Sequence, residues 1–385
     1  MAITIDYTKG FFEPSPVAEK VGTITGTTLD LTSGNVFSYT PTAETTFVFS
    51  NPPTTGTALG FTLGLTGLYI SDGYDLANAE PPAYGRFSVA AQETSPTGVF
   101  FKPDGTKMYV IGTAGDDVNE YDLSTAWDIT SASYLQNFSV AAQETNPQGI
   151  FFKPDGTKMY VIGFTGDDVN EYDLSTAWDV STASYLQNFS VAAQETNPQG
   201  IFFKPDGLKM YVVGSTGDAV YSYTLSTAWD LSTSSFDYPT EGYFSVSAQE
   251  TNPTGIFFKP DGTKMYIVGY TGDDVNEYDL STAWDITSAS YLQNFSVSAQ
   301  DTNPTGIFFK PDGTKMYVIG NIGDAVWQYS TGFAGDATFT YPASVEWPSG
   351  TPPTAPADGD TDLLAFLTLD GGSTYYGRVV GNDFS

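Results

Sequence analysis

Short apolar runs alternate with turn residues along much of the chain. Residues 97–102 are an apolar, β-prone run that stops at Pro103-Asp104-Gly105, a turn triplet. Residues 107–112 form a second run, closed by Gly112-Thr113-Ala114-Gly115-Asp116-Asp117. Residues 118–123 form a third, followed by Ser124-Thr125-Ala126-Trp127-Asp128. Residues 133–140 form a fourth, in which alternation puts Tyr134, Gln136, Phe138 and Val140 on one face. The pattern predicts four short antiparallel strands, and such a sheet cannot bury both of its faces alone.

The pattern then returns. Lys-Pro-Asp-Gly starts at Lys102, Lys153, Lys204, Lys259 and Lys310, with spacings of 51, 51, 55 and 51 residues, and each copy is preceded by two Phe. A fixed period of about 20–50 residues marks a solenoid, a propeller or an array. Four-stranded sheets stacked radially around an axis bury both faces, which is the blade of a β-propeller. A β-solenoid needs parallel coils, and the tight Pro-Asp-Gly turn predicts a hairpin instead.

The ends of the array predict how it closes. Residues 84–90, Tyr-Gly-Arg-Phe-Ser-Val-Ala, match the fourth strand of a blade, and the last repeat stops after its third strand at Tyr329-Ser330. Residues 84–90 are therefore expected to complete the last blade, giving five blades over 84–331 and leaving no bare sheet edge.

Outside the array the texture changes. Residues 21–80 and 332–385 alternate as further strands, among them Thr45-Thr46-Phe47-Val48-Phe49, Ala337-Thr338-Phe339-Thr340-Tyr341 and Leu363-Leu364-Ala365-Phe366-Leu367. Neither half has enough strands for a two-layer core, so the two are expected to form one β-sandwich split by the inserted propeller. The fold class is thus all-β, a five-bladed β-propeller inserted into a split β-sandwich. Residues 1–20 read as an N-terminal arm, either a frayed tail or a segment that orders on a partner.

Composition narrows the chemistry. The 385 residues carry 14 Lys+Arg against 45 Asp+Glu, a formal charge of −31, and hold no His and no Cys. Nucleic acid is not an expected partner, since phosphate contacts need clustered cations. Disulfides, thiolate chemistry, His-based catalysis and zinc sites of the usual ligand sets are excluded. No apolar run approaches a membrane span, and no signal peptide is expected from the residues after Met1.

The flanks also carry a resemblance. Asn35-Val36-Phe37 with Thr45-Thr46-Phe47-Val48-Phe49-Ser50-Asn51-Pro52-Pro53 forms its first part. Tyr341-Pro342-Ala343-Ser344-Val345-Glu346-Trp347-Pro348-Ser349-Gly350 and Asp370-Gly371-Gly372-Ser373-Thr374-Tyr375-Tyr376-Gly377 form its second. Together they resemble a module of tailed-bacteriophage virion proteins, of the tail-fibre, tail and capsid-decoration kind. In that module the two parts are usually contiguous, whereas here the propeller intervenes. The repeat itself resembles propeller repeats of phage-like and marine microbial proteins, which imply a fold and no activity. The resemblance implies a structural protein located in a virion, with other virion proteins as partners and a homo-oligomeric state.

Strand polarity sorts the loops onto two faces of the ring. The Lys-Pro-Asp-Gly turns and Ser-Thr-Ala-Trp-Asp loops share one face, which would then carry ten Lys. The blade-to-blade links and Gly-Asp-Asp turns share the other, with Glu93, Glu144, Glu195, Glu250 and Asp301. Both flanking connections leave from the Lys face, so the acidic face is the expected contact face. Candidate ligand-binding residues there are Glu144, Asn146, Asp167, Asp168, Asn197, Asn252, Asp273, Asp274 and Asn303, as hydrogen-bonding groups for a host-surface glycan. Calcium at the Gly-Asp-Asp turns is the one cofactor considered, and two adjacent Asp fall far short of six oxygen ligands. Trp127, Trp178, Trp229 and Trp284 read either as packing between blades or as a sugar-stacking ring.

Three functions compete. The first is a virion structural protein that displays the propeller for host contact. The second is a lectin outside a virion. The third is a five-bladed-propeller glycosidase, which needs two carboxylates of unlike environment about 5–10 Å apart. Near-identical blades supply equivalent carboxylates, so the expectation is no enzyme and no catalytic residues.

Overall fold

The computed structural model describes residues 22, 24–25, 27–39, 45–54, 58–66, 73–80, 85–237, 242–331, 339–348, 350–353 and 361–384. The N-terminal arm, residues 1–20, lies outside the described residues. The chain divides into two compact units: Ser71–Phe333, and Met1–Ile70 together with Ala334–Ser385.

The first unit is a five-bladed β-propeller. In the first blade, Pro96–Phe101, Lys107–Gly112, Asp117–Leu123 and Ala132–Ser139 pair antiparallel from the axis outward. The five inner strands are buried at every position. They converge tightly enough that glycine is required: a Cβ on Gly255 would stand 3.1 Å from the Cα of Gly306, and one on Gly306 3.1 Å from the Cα of Gly98. Each Lys-Pro-Asp-Gly turn closes as its residues dictate. The Asp104 carboxylate accepts from the N–H and hydroxyl of Thr106 at 3.0 and 2.6 Å, and Gly105 takes φ +73°.

Closure is made by the N-terminal side of the ring. Arg86–Ser88 pairs with the third strand of the last blade, Ser88 opposite Ala325, Phe87 opposite Val326 and Arg86 opposite Trp327. The closing segment also begins earlier than residue 84. Tyr74 stands in the fifth blade where Trp127 stands in the first: φ is 76° against 63°, and each N–H reaches a turn glycine, Gly313 or Gly105, at 3.0 Å. Asp75 then caps a 3-10 turn, Leu76–Asn78, as Asp128 caps Ile129–Ser131. Residues 73–80 therefore supply the loop that the last repeat lacks.

The outer strands depart from simple alternation. In the first blade Glu120 faces Gln136 but Tyr121 faces Tyr134, so Leu135 is an extra, bulged residue. Tyr134 and Leu135 are both exposed, where period-2 alternation would have put them on opposite faces. The third blade splits this strand into Ser234–Phe236 and Tyr243–Ser245, with the longer repeat accommodated between them.

In the other unit the two sequence flanks share one core. Leu59–Thr66 pairs antiparallel with Thr361–Thr368, inside a five-stranded sheet that also takes Val36–Tyr39, Val345–Glu346 and Tyr375–Phe384. Leu29, Phe37, Phe47, Phe61, Leu364, Phe366 and Tyr375 form its buried cluster. Phe61 stacks on Phe366 at 4.9 Å, and Phe47 on Phe339 at 5.7 Å.

Candidate functional site

The acidic residues of the link face are built inward. Glu144 is fully buried, and its Oε1 accepts the N–H of Asn146 at 2.7 Å and of Thr165 at 3.0 Å. Glu93 does the same with Ser95, Ala114 and Gly115 at 2.7, 3.1 and 3.2 Å. Glu195, Glu250 and Asp301 repeat the arrangement. Successive turn amides form a nest for an anion, and the blade's own carboxylate fills it. Glu144 is thus buried as the anchor of its own turn, where an exposed carboxylate was expected.

The Gly-Asp-Asp pairs divide their roles. Asp167 and Asp273 adopt left-handed backbone, both at φ 47°, and their carbonyls accept the N–H of Val191 and Val297 at 2.8 Å. Asp168 and Asp274 are buried, each bonded within its own blade. Asp168 accepts from Asn170 at 2.7 Å and from Asn188, and Asp274 accepts from Asn276 at 2.6 Å and from Asn294. Burial pushes both carboxyls up, against the downward pull of those amide bonds. These two Asp belong to the packing of the ring, which corrects their placement on a ligand-binding surface. Among the described residues no group of three or more Asp and Glu converges as a metal site.

The four Asn sit at the same step of successive links. The Asn146 side chain accepts from Gln148 Nε2 at 2.7 Å, and that of Asn197 donates to Ser215 Oγ at 2.5 Å. Asn252 uses its backbone, donating to Glu250 at 2.7 Å and accepting from Tyr270 at 3.2 Å. Asn303 donates its N–H to Asp301 at 2.8 Å, while its side-chain oxygen is buried without a partner.

At the axis, Thr97, Gln148, Gln199, Thr254 and Thr305 surround an opening of about 30 Å³. The three Thr hydroxyls each donate to a proline carbonyl of the next blade, Pro147, Pro304 or Pro96, at 2.9 Å. Gln148 and Gln199 break this pattern and bond within their own blades. The opening has room for ordered water, for which about 10–15 Å³ suffices, and is too small for a sugar ring.

The opposite face is not a cationic ring either. Lys102 pairs with Asp104 at 2.7 Å. Burial works upward on Asp104, but the bonds from Lys102 and Thr106 bring it down to about 2. Lys107 lies between buried Glu120 at 2.5 Å and Asp122 at 2.7 Å. Gln136 then links Glu120 to Asp179 of the next blade at 2.9 and 2.7 Å. In the third blade Ser222 replaces that Glu, and Asp237, at the start of the longer connection, supplies the carboxylate to Lys209 at 3.1 Å. The residues that differ there thus rebuild the same ion pair. Trp127, Trp178 and Trp229 are buried, and Trp284 is half-buried. Trp127 stacks on Phe101 at 5.8 Å beneath the turn of Gly105. This settles the four Trp as packing and removes the sugar-stacking ring.

What sequence reading missed on the ring is its exposed apolar rim. Tyr134 with Leu135, Tyr185 with Leu186, and Tyr291 with Leu292 are 42–48% exposed. Their signal in the sequence was the extra residue of the bulge, visible only once both strands are paired.

No protein family model matches the chain, and no curated protein matches it. Solved structures give loose likenesses. A functionally unknown protein from Desulfotomaculum acetoxidans is 13% identical over 75% of this chain and 85% of its own, with a TM-score of 0.37. A protein from Lactobacillus plantarum is 16% identical over 74% of each chain, with a TM-score of 0.39. The hydrazine synthase of Kuenenia stuttgartiensis is 13% identical over 62% of this chain and 96% of its own, with a TM-score of 0.37. Likenesses at this level carry no functional argument, and the five blades are read from the strand pairing itself.

Proposed function

We propose that this chain is a non-catalytic structural protein of a tailed-bacteriophage particle, a fibre, tail or decoration component located in the virion. On this reading the flanks form the split β-sandwich of the virion module, attach to other virion proteins and assemble as a homo-oligomer. The propeller is the displayed head. One observation carries the reading: the repeated charged side chains of the ring are satisfied within the ring. Glu144 fills its own turn, Asp168 bonds two Asn, and Lys107 pairs with Glu120 and Asp122. A ring so occupied is a rigid support, with outward contacts left to exposed groups such as Tyr134 and Leu135. The glycosidase reading loses support from the same bonds, because a catalytic pair needs one carboxylate free to change its proton.

The test is a mass-spectrometric inventory of purified phage particles from the chain's own source. Stoichiometric presence in the particle is the expected result. Absence from particles, with the protein recovered free in the medium, would overturn the proposal in favour of a lectin acting outside a virion.

A further inference from the structure

The unit built from the two flanks contains a pocket of about 270 Å³ lined by Glu346, Trp347, Ala365, Leu367, Tyr376 and Arg378, among others. Strand register sets its floor. Glu346 lies opposite Tyr376, Leu367 lies opposite Tyr376 on the other side, and Ala365 lies opposite Arg378. Residues directly opposite in paired strands share a face. Glu346, Tyr376 and Leu367 therefore form one row across three strands, with Ala365 and Arg378 beside them.

Trp347 follows the short edge strand, and its indole packs on the core side of the sheet, behind the row that carries Tyr376. Its indole meets Tyr341 edge-on at 5.0 Å and Phe366 at 5.7 Å. It lies close over Gly377, where a Cβ would stand 2.8 Å from the ring. Glycine at 377 is what allows the indole to settle there. Tyr376 remains 45% exposed. Arg378 is the only Lys or Arg after residue 315, in a chain of net charge −31.

We propose that this pocket binds a neutral saccharide of one or two rings. Tyr376 offers an exposed aromatic ring for the C–H side of a sugar, with polar groups at the rim to fix its orientation. Glu346 accepts from sugar hydroxyls, and Arg378 donates to them. The volume falls just under the range of about 300–1,000 Å³ that holds drug-sized ligands. The charge of the chain and the carboxylate of Glu346 disfavour an anion, and a purely apolar ligand would strip water from Glu346 without replacing its hydrogen bonds. The inference does not depend on the chain being a virion protein.

The experiment titrates the full chain with methyl glucoside, methyl galactoside and N-acetylglucosamine, read by saturation-transfer NMR. At least one sugar should bind saturably. Tyr376→Ala should weaken it about tenfold, while Tyr376→Phe keeps it within about twofold. Glu346→Gln is a second variant, on an exposed side chain, and should also weaken binding. Far-UV circular dichroism checks each fold. Two results overturn the proposal: no saturable binding of any of the three sugars, or binding unchanged in both Tyr376→Ala and Glu346→Gln. Light scattering that shows a dimer lost on Tyr376→Ala would assign the pocket to a second copy of the chain and overturn it too.

Discussion

Tyr74 donates its backbone N–H to the carbonyl of Gly313 at 3.0 Å, so a residue from the N-terminal side of the ring caps the turn of the last blade. Its ring stacks near Phe309 at 5.4 Å, and its hydroxyl donates to the carbonyls of Lys310 and Pro311 at 3.1 and 2.9 Å. Closure thus has two parts, this cap and the pairing of Arg86–Ser88 with the last blade.

Residues 71–333 should therefore fold without the flanks, whereas 91–333 should not. The shorter chain loses the whole outer part of the fifth blade and bares its third strand. Tyr74→Ala should cost about 3–5 kcal/mol, as for a large buried aromatic, and Tyr74→Trp less than about 1.5 kcal/mol, since Trp fills this position elsewhere. Calorimetric melting of 71–333 and its variants measures all three. A stable 91–333 would show that the first four blades close without the fifth blade's outer strand.

The buried Asp of the third strands predict a pH dependence. Burial lifts the carboxyls of Asp117, Asp168 and Asp274, in each case against the bonds from two Asn. A native pKa above the unfolded value, about 3.9, means that the folded protein holds the proton more tightly. The contribution to stability is complete below that unfolded value and is lost as pH rises through the native one. The melting temperature of the wild type relative to Asp168→Asn should therefore be most favourable below about pH 4 and decline above it. A difference that grows with pH would mean that the carboxylate, and not the acid, is the favoured form in the fold.

Much of the ring was legible because its period is a one-dimensional signal, and Phe87 could be matched to Phe138 by eye. Residues 73–80 were not, because Tyr74 replaces Trp and the offset to the first blade changes from 53 residues at Tyr74 and Trp127 to 51 at Ser88 and Ser139. The burial of some candidate carboxylates was illegible for a different reason. Glu144 looks solvent-facing in a polar link, and only the folded chain shows the amides of Asn146 and Thr165 turned towards it. Composition fixes how many carboxylates there are but not which find a nest. The pocket beside Tyr376 was illegible because its walls come from three segments that meet only through strand register.

Blade five offers a stabilising change. Gln328 stands where Glu120 stands in blade one, and Lys315 reaches the carbonyl of Trp127 at 2.9 Å in place of a buried carboxylate. With its amide oriented to suit both neighbours, Gln328 accepts from Lys315 at 3.2 Å and donates to Trp127 O at 3.1 Å. Burial depresses the Lys315 pKa, whereas Lys107, Lys158 and Lys264, with carboxylate partners, are raised despite burial. Gln328→Glu should restore the pair and add about 0.5–2 kcal/mol, seen as a higher melting temperature at neutral pH. Destabilisation would mean that the new carboxylate is stripped of water without recovering an equal attraction.

The rim of the ring carries the last prediction. Leu135, Leu186 and Leu292 are each 48% exposed, each beside an exposed Tyr, and each occupies the bulge of an outer strand. A bulge disfavours pairing with a further strand, so contacts at this edge are made by side chains. Exposed apolar groups of this kind mark interaction surfaces when they recur together. Replacing all three Leu by Thr should change stability by only about 0.5 kcal/mol per site, because little packing is lost. If the ring's rim meets neighbouring proteins in a particle, the triple variant should be incorporated at a lower copy number, measured by quantitative mass spectrometry against the wild type. Equal copy number with unchanged melting would remove the rim from assembly and leave its six exposed side chains for contact outside the particle.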